Sequence, residues 1–387
     1  MLRRALLKLP AALIGAPLPS ARAAQIVQRP FVVGQVVSMS TNGGDIGQAM
    51  QLGLQIYFDH VNTSGGIAGR PILFVTRDDK YVPTETVRQT RELVRTENPH
   101  VLTGFRGTAN ALALIDDRLL EESGAPLVGI FSGAVEIRSS PHIYHTRTTF
   151  KEELKALARI TLDLGQKRVA VFYQDDAFGK SGLKALEEAA VTYGLDLVVK
   201  TPYDRTVEKS ERSVREAAQM TKAAAPDAVF LIAVADQTYS FIKQLRGGGY
   251  TSSIYSLSVA SPERAVELLG IQGARGIAFS QVFPYLHSKG SPLVSEYNRL
   301  RDRYAPGKPA SYFSLEGFVN AKVVVEALRR ATDSGTANAT RTQIHEALRN
   351  MAAFDLGKFI IQFSHADRQG SRFTDLTVLD DIGRLMH

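Results

Sequence analysis

The residues of this sequence best suited to holding an anion are a guanidinium and two hydroxyls set beside glycines, in Gly104-Phe105-Arg106-Gly107-Thr108 and Phe131-Ser132-Gly133. Arg106 can make a charge-assisted, bidentate bond to a carboxylate, or it can be a solvated loop residue. Gly107 lets the backbone approach a ligand closely, and Thr108 can either meet that ligand or cap the helix that follows. Covalent and metal chemistry find less support. The chain has no cysteine, so it carries no thiolate nucleophile, disulfide, thiolate metal site or lipid-modified amino-terminal cysteine. His142 and His145 are three apart on an extended segment, point to opposite faces and lack a carboxylate at ligand spacing. In Gly129-Ile130-Phe131-Ser132-Gly133 the serine comes one position too late for a nucleophile elbow. Neither Gly43-Gly44 nor Gly247-Gly248-Gly249 forms a dinucleotide fingerprint, and no Walker lysine motif exists. The paired acids Asp78-Asp79, Asp116-Asp117 and Asp175-Asp176 are adjacent and therefore diverge on a helix or a strand. No catalytic residue, cofactor or metal is expected.

The elements that must position these residues alternate in type. Phe31 to Val37 reads as a strand, and a small polar loop through Ser40 and Asp45 leads to a stripe of Ile46, Ala49, Met50, Gly53, Leu54, Tyr57, Phe58 and Val61, the face of an amphipathic helix. Gly65-Gly66 stops it. Strands follow at Pro71–Thr76, Val101–Thr103 and Pro126–Ile130, with helices at Thr84–Glu97 and Ala109–Glu122 between them. A second set begins with a helix at Phe150–Leu164, then places strands at Val169–Tyr173, Leu195–Lys200 and Ala228–Val234 among helices at Gly179–Tyr193, before Pro226 and at Thr238–Leu245. Repeated β-loop-α units imply parallel sheets with helices on both faces, and two sets imply two lobes. Beyond Ser253 come short strands at Ile254–Leu257 and Gly276–Gln281, helices at Leu293–Arg303, Tyr312–Ala331 and Arg341–Asn350, and an expected closing hairpin of Phe359–Phe363 with Phe373–Leu379. The helix from Tyr312 is apolar on most sides and belongs inside the fold.

Of 387 residues, 46 are Lys or Arg and 39 Asp or Glu, a net charge of +7. Much of this excess sits at the amino terminus. Met1-Leu2-Arg3-Arg4 and Lys8, an uncharged run from Leu9 to Ala21 and the small site Ala21-Arg22-Ala23 follow the order of a cleavable export signal, residues 1–23, too short to span a bilayer. Arg3-Arg4 also resembles a twin-arginine signal, so the Sec and twin-arginine routes both stay open. Removing Arg3, Arg4, Lys8 and Arg22 lowers the net charge from +7 to +3, and no basic run remains to bind nucleic acid. The periplasm is the expected location.

Gly65-Gly66-Ile67-Ala68-Gly69-Arg70-Pro71-Ile72, followed by Arg77-Asp78-Asp79 and Pro83, resembles the G-G-I-x-G-R-x-I, D-D, P pattern of type I periplasmic binding proteins of ABC importers, the branched-chain amino-acid (leucine/isoleucine/valine) binding family. Asp175-Asp176-Ala177-Phe178-Gly179-Lys180-Ser181-Gly182 is similar to that family's D-x-x-[YF]-G-x-x-G turn, and the likeness runs from about residue 26 to 380. The resemblance implies an α/β fold of two Rossmann-like lobes, with parallel sheets flanked by helices, joined by a three-strand hinge. It places the crossings near Tyr144–Phe150, Gln281–Leu286 and Asn350–Gly357, giving lobes of 24–146 plus 283–352 and 147–282 plus 353–387.

The same resemblance puts the ligand in the cleft, beyond the carboxyl ends of the strands. Candidate contacts are Ser40, Asp45, Phe105, Arg106, Gly107, Thr108, Phe131, Ser132 and Gly133 from one lobe and Phe178, Asp236, Ser256 and Ser258 from the other. Thr108 matches the family's hydroxyl position, whereas its second hydroxyl position falls on Gly133, with Ser132 beside it. Amino-acid-binding relatives carry an acid after the strand corresponding to Ile254–Leu257; here Tyr255-Ser256-Leu257-Ser258-Val259-Ala260 has none before Glu263. Asp236 either replaces that acid or caps the helix beginning near Gln237. An aromatic or aliphatic carboxylate thus rivals a branched-chain amino acid as ligand. The implied function is capture of a small amino-acid-like or carboxylate molecule by hinge closure and its delivery to an ABC permease in the inner membrane. The alternatives are a periplasmic sensor presenting the ligand to a signalling receptor and, with less support, an exported hydrolase.

Overall fold

The computed structural model describes residues 29–40, 43–205, 207–333 and 339–387; the segment read as an export signal lies outside them. β1 (Phe31–Val37) leads into α1 (Gly44–Thr63), whose predicted stripe is buried from Ile46 to Val61 apart from the half-buried Ala49. Gly65 and Gly66 turn the chain back at φ of 99° and 75°, values that side chains other than glycine rarely adopt. β2 (Ile72–Asp78), α2 (Pro83–Glu97), β3 (Val101–Arg106), α3 (Thr108–Asp116), α4 (Leu119–Ser123), β4 (Leu127–Phe131) and β5 (Ile143–Tyr144) complete a parallel sheet in the order β2-β1-β3-β4-β5. The single helix expected over Ala109–Glu122 is two, separated where Arg118 takes a φ of 58°.

The chain then enters a second sheet through α5 (Phe150–Asp163). β6 (Arg168–Gln174), α6 (Ala177–Tyr193), β7 (Asp196–Tyr203), α7 (Val207–Ala224), β8 (Ala228–Ile232), α8 (Ala235–Gly247), β9 (Ser253–Ser256), α9 (Pro262–Ala274) and β10 (Ile277–Gln281) follow in strict alternation. From there the chain returns to the first sheet. α10 (Pro292–Tyr304) lies on α1, α11 (Tyr312–Asp333) lies on α1, β3 and β4, and α12 (Arg341–Arg349) lies on α11. A third passage brings β11 (Phe354–Asp355), β12 (Ile360–Ile361), β13 (Asp375–Leu379) and β14 (Leu385–Met386). The second sheet runs β14-β13-β10-β9-β8-β6-β7, parallel except where β13 meets β10 and β14.

The expected closing hairpin is therefore not formed. β12 pairs with β11, and β13 takes the open edge of β10. The stretch between them is held by the first crossing: His145 N–H donates to the Arg368 carbonyl and Gly370 N–H to the His145 carbonyl, at 2.9 and 2.7 Å. With those backbone groups committed, residues 359–363 and 373–379 cannot pair with each other. Strand order reverses between β1 and β3 in one sheet and between β6 and β8 in the other, so each sheet opens a crevice at its carboxyl edge.

Candidate functional site

The two crevices meet in a small chamber. Its first-lobe side is built where β3 ends at Arg106 and Gly107 turns, at φ of 100°, into α3. A Cβ on Gly107 would lie 2.6 Å from the Tyr81 ring, so only glycine lets that ring cover the turn. Arg106 is 2% exposed, and its Nη1 donates to Ser38 Oγ at 3.0 Å and to the Gly43 carbonyl at 2.9 Å. Its guanidinium carbon lies 4.2 Å from the centre of the Tyr81 ring, and its buried Nη2 has no hydrogen-bond partner among the described residues. Thr108 and Ser132, both buried, share a hydrogen bond of 2.8 Å between their hydroxyls. Asp79 supports this side from below, accepting from the Tyr81 N–H at 2.8 Å and from Thr86 Oγ1 at 2.7 Å. Burial pushes its carboxyl above the ordinary range, against the pull of these bonds and of Arg106.

The walls are apolar and come from both lobes. Phe131 stacks edge-on against Phe313 at 5.4 Å, Phe150 against Phe178 at 5.2 Å, and Val234 and Val259 close the second-lobe side. The space left inside is about 10 Å³, the room of one water. Beyond Val259 a wider opening of about 370 Å³ lies between Gly43–Ile46 and Phe313 of one lobe and Asp236, Tyr239, Ala260, Ser261, Arg264 and Glu267 of the other. It is larger but acid-lined, with Asp236 paired to Arg264 at 3.3 Å; of the two, it is the inner chamber that joins Arg106, with its unpartnered buried Nη2, to apolar walls. No group of three or more histidines and carboxylates able to hold a metal occurs among the described residues.

Residues 30–381 match the model of a family described as periplasmic binding protein. The chain belongs to that family. This binding protein is 31% identical to a substrate-binding periplasmic protein from Ralstonia solanacearum, with a TM-score of 0.86 over 92% of this chain and 99% of the other. An extracellular ligand-binding receptor from Verminephrobacter eiseniae ef01-2 shares the fold at a TM-score of 0.86 and 24% identity, over 92% and 100% of the two chains. Among curated relatives, the Leu/Ile/Val-binding protein homolog 7 of Brucella abortus (strain 2308) is 25% identical over 304 residues, 74% of this chain and 73% of its own. The two-lobed α/β fold and the family identify a non-catalytic, extracytoplasmic substrate-binding protein of the ABC-importer type, which closes on a small molecule between its lobes and serves a membrane permease. No helix among the described residues is long and apolar enough to cross a membrane.

In this binding protein the residues singled out from sequence divide into four groups. Arg106, Gly107, Thr108, Phe131 and Phe178 line the inner chamber, and Ser132 sits behind Thr108. Asp45 and Asp236 border the outer opening, where Asp236 lies in the first turn of α8 without capping it. Phe105 is in the core, Gly133 backs onto Phe150, and the Ser40 hydroxyl bonds to Asp78. Ser256 is buried within the second sheet, and Ser258 accepts from Arg147.

That last contact opens on a network the sequence concealed. Arg147, fully buried in the first crossing, lies 3.8 Å from Glu153 on α5, 3.5 Å from Glu316 on α11 and 4.5 Å from the centre of the Phe131 ring. Glu153 Oε2 accepts from Ser258 N–H at 3.0 Å and Ser280 Oγ at 2.6 Å. The fold thus brings two acids behind the chamber, both bound to Arg147. Burial, with the charge of Glu153 adding to it and Arg147 opposing, pushes the Glu316 carboxyl up to about 7. Residues 147, 153 and 316 carry no common motif. Tyr81 and Arg205, by contrast, follow the carboxyl ends of β2 and β7, so extending the search of strand ends to the edge strands would have found them.

Proposed function

We propose that the ligand is a small carboxylate with an apolar body and no α-amino group, an aliphatic or aromatic acid. The observation that carries this reading is the buried Arg106, with Nη2 unpaired, in a chamber walled by Phe131, Phe150 and Phe178. A carboxylate gives that nitrogen the charge-assisted partner it lacks. An ammonium group drawn in beside it would be desolvated next to a cation, and the two acids behind the chamber, Glu153 and Glu316, already face Arg147 at 3.8 and 3.5 Å. In the same reading, residues 1–23 are removed on export, by the Sec or the twin-arginine route. Calorimetry and thermal shift with leucine, its deaminated analogue 4-methylpentanoate and phenylacetate test the ligand class. At least one of the two acids should bind tenfold or more tighter than leucine, and Arg106→Gln should weaken that acid by about 1.5–3 kcal/mol. Tight binding of leucine with none of 4-methylpentanoate would overturn it.

A further inference from the structure

One contact bridges the lobes: Tyr81, which lines the chamber beside Arg106, also meets Arg205 of the opposite lobe. Tyr81 belongs to the first lobe, in the loop after β2, where Lys80 and Tyr81 take φ of 54° and 59°. Two consecutive side-chain-bearing residues in this sparsely populated region must be held there by their surroundings. Asp78 Oδ1 accepts from the Lys80 N–H at 2.9 Å and Asp79 Oδ1 from the Tyr81 N–H at 2.8 Å, so the strain of the loop is fixed by the Asp-Asp pair at the end of the strand.

What this strained loop presents is a ring and a carbonyl to the opposite lobe. Arg205, just past β7, donates from Nη1 to the Tyr81 carbonyl at 3.1 Å and brings its guanidinium carbon to 4.7 Å from the ring centre. Its own orientation comes from Asp176, 4.0 Å from Nε. Asp176 is the N-cap of α6 and accepts from the Phe178 N–H at 2.9 Å, so the group that steers Arg205 also seats one wall of the chamber. The Tyr81 ring meanwhile meets Arg106 from its own lobe.

We propose that Arg205 is the latch of the closed form, a positioning residue that holds the lobes together through Tyr81 without touching the ligand. Closing forms the carbonyl bond and the ring contact together; opening breaks both. Removing Arg205 therefore shifts the open–closed ratio by a set factor, whatever occupies the chamber, and the loss of affinity appears in the dissociation rate.

The chain has no cysteine, so Thr84→Cys on α2 and Glu211→Cys on α7, both exposed, give one spin-label pair spanning the lobes. With no ligand added, Arg205→Ala should move the distance distribution toward the open form, the closed-to-open ratio falling about tenfold or more. Arg205→Lys, which can still donate to the carbonyl but loses the planar stack, should recover part of it. In stopped-flow binding of 4-methylpentanoate, Arg205→Ala should raise the dissociation rate and leave association nearly unchanged. An unchanged ligand-free distribution in Arg205→Ala, at a melting temperature equal to the parent's, would overturn the latch. So would equal open populations in the Ala and Lys variants. The ligand-free arm is independent of the carboxylate reading, which fails separately if 4-methylpentanoate does not bind.

Discussion

Replacing Glu316 by Gln should change how stability depends on pH more than stability itself. The side chain is 2% exposed and lies 3.5 Å from Arg147, and burial lifts its carboxyl from the ordinary value of 4.5 to about 7. A group whose folded value is raised binds its proton more tightly when folded, so its contribution is complete below about 4.5 and is lost as pH rises through about 7. That difference amounts to about 3 kcal/mol. The buried histidines act in the opposite sense: His145 is held well below its ordinary value and His345 down to about 4, chiefly by desolvation, so each loses stability as pH falls. Both remain in the variant and cancel in the comparison. Urea unfolding of parent and Glu316→Gln at steps from pH 4.5 to 8 should show the variant gaining about 3 kcal/mol relative to the parent across the range. Parallel curves would refute the reasoning, because they would mean that Glu316 keeps one protonation state, or an ordinary affinity, throughout.

Two further substitutions probe the packing that holds the site in place. A Cβ on Gly53 would lie 1.9 Å from the Ser314 carbonyl oxygen and 2.7 Å from the Phe318 nitrogen, so Gly53→Ala must push α1 away from α11; a loss of about 1–3 kcal/mol is expected by urea titration. Thr340 caps α12 in a reciprocal box with Gln343, and Thr340→Ala should cost about 1 kcal/mol, visible as a lower melting temperature with ligand affinity unchanged.

Alternating periodicity was sufficient to read the parallel sheets and most helices, because each β-loop-α unit signals itself locally through its stripe and its turn residues. Two misses were local, the break at Arg118 and the unread helix Pro262–Ala274; the larger one fell where pairing was decided at a distance. Residues 359–363 and 373–379 look like hairpin strands by composition, yet the backbone of His145, more than two hundred positions earlier, claims the loop between them. The site divides in the same way. Arg106, Thr108 and Phe178 follow strand ends in the sequence and line the chamber, whereas the grouping of Arg147 with Glu153 and Glu316 depends on three elements meeting and leaves no local trace. Phe105 shows the limit of adjacency: it precedes Arg106, but strand alternation sends it into the core.

The passage of the chain back to the first sheet has a consequence for the order in which the molecule can be made. α11 covers α1, β3 and β4, yet it is synthesised only after the whole second sheet up to β10. A growing chain that has reached Gln281 therefore holds the complete five-stranded sheet with the apolar faces meant for Leu315, Phe318 and Val319 still bare. Contacts this far apart in sequence form late and slowly. The first part of the protein to be translated must wait for nearly the last before its interior can close, which keeps the chain loosely folded, and in need of protection from aggregation, through most of its synthesis.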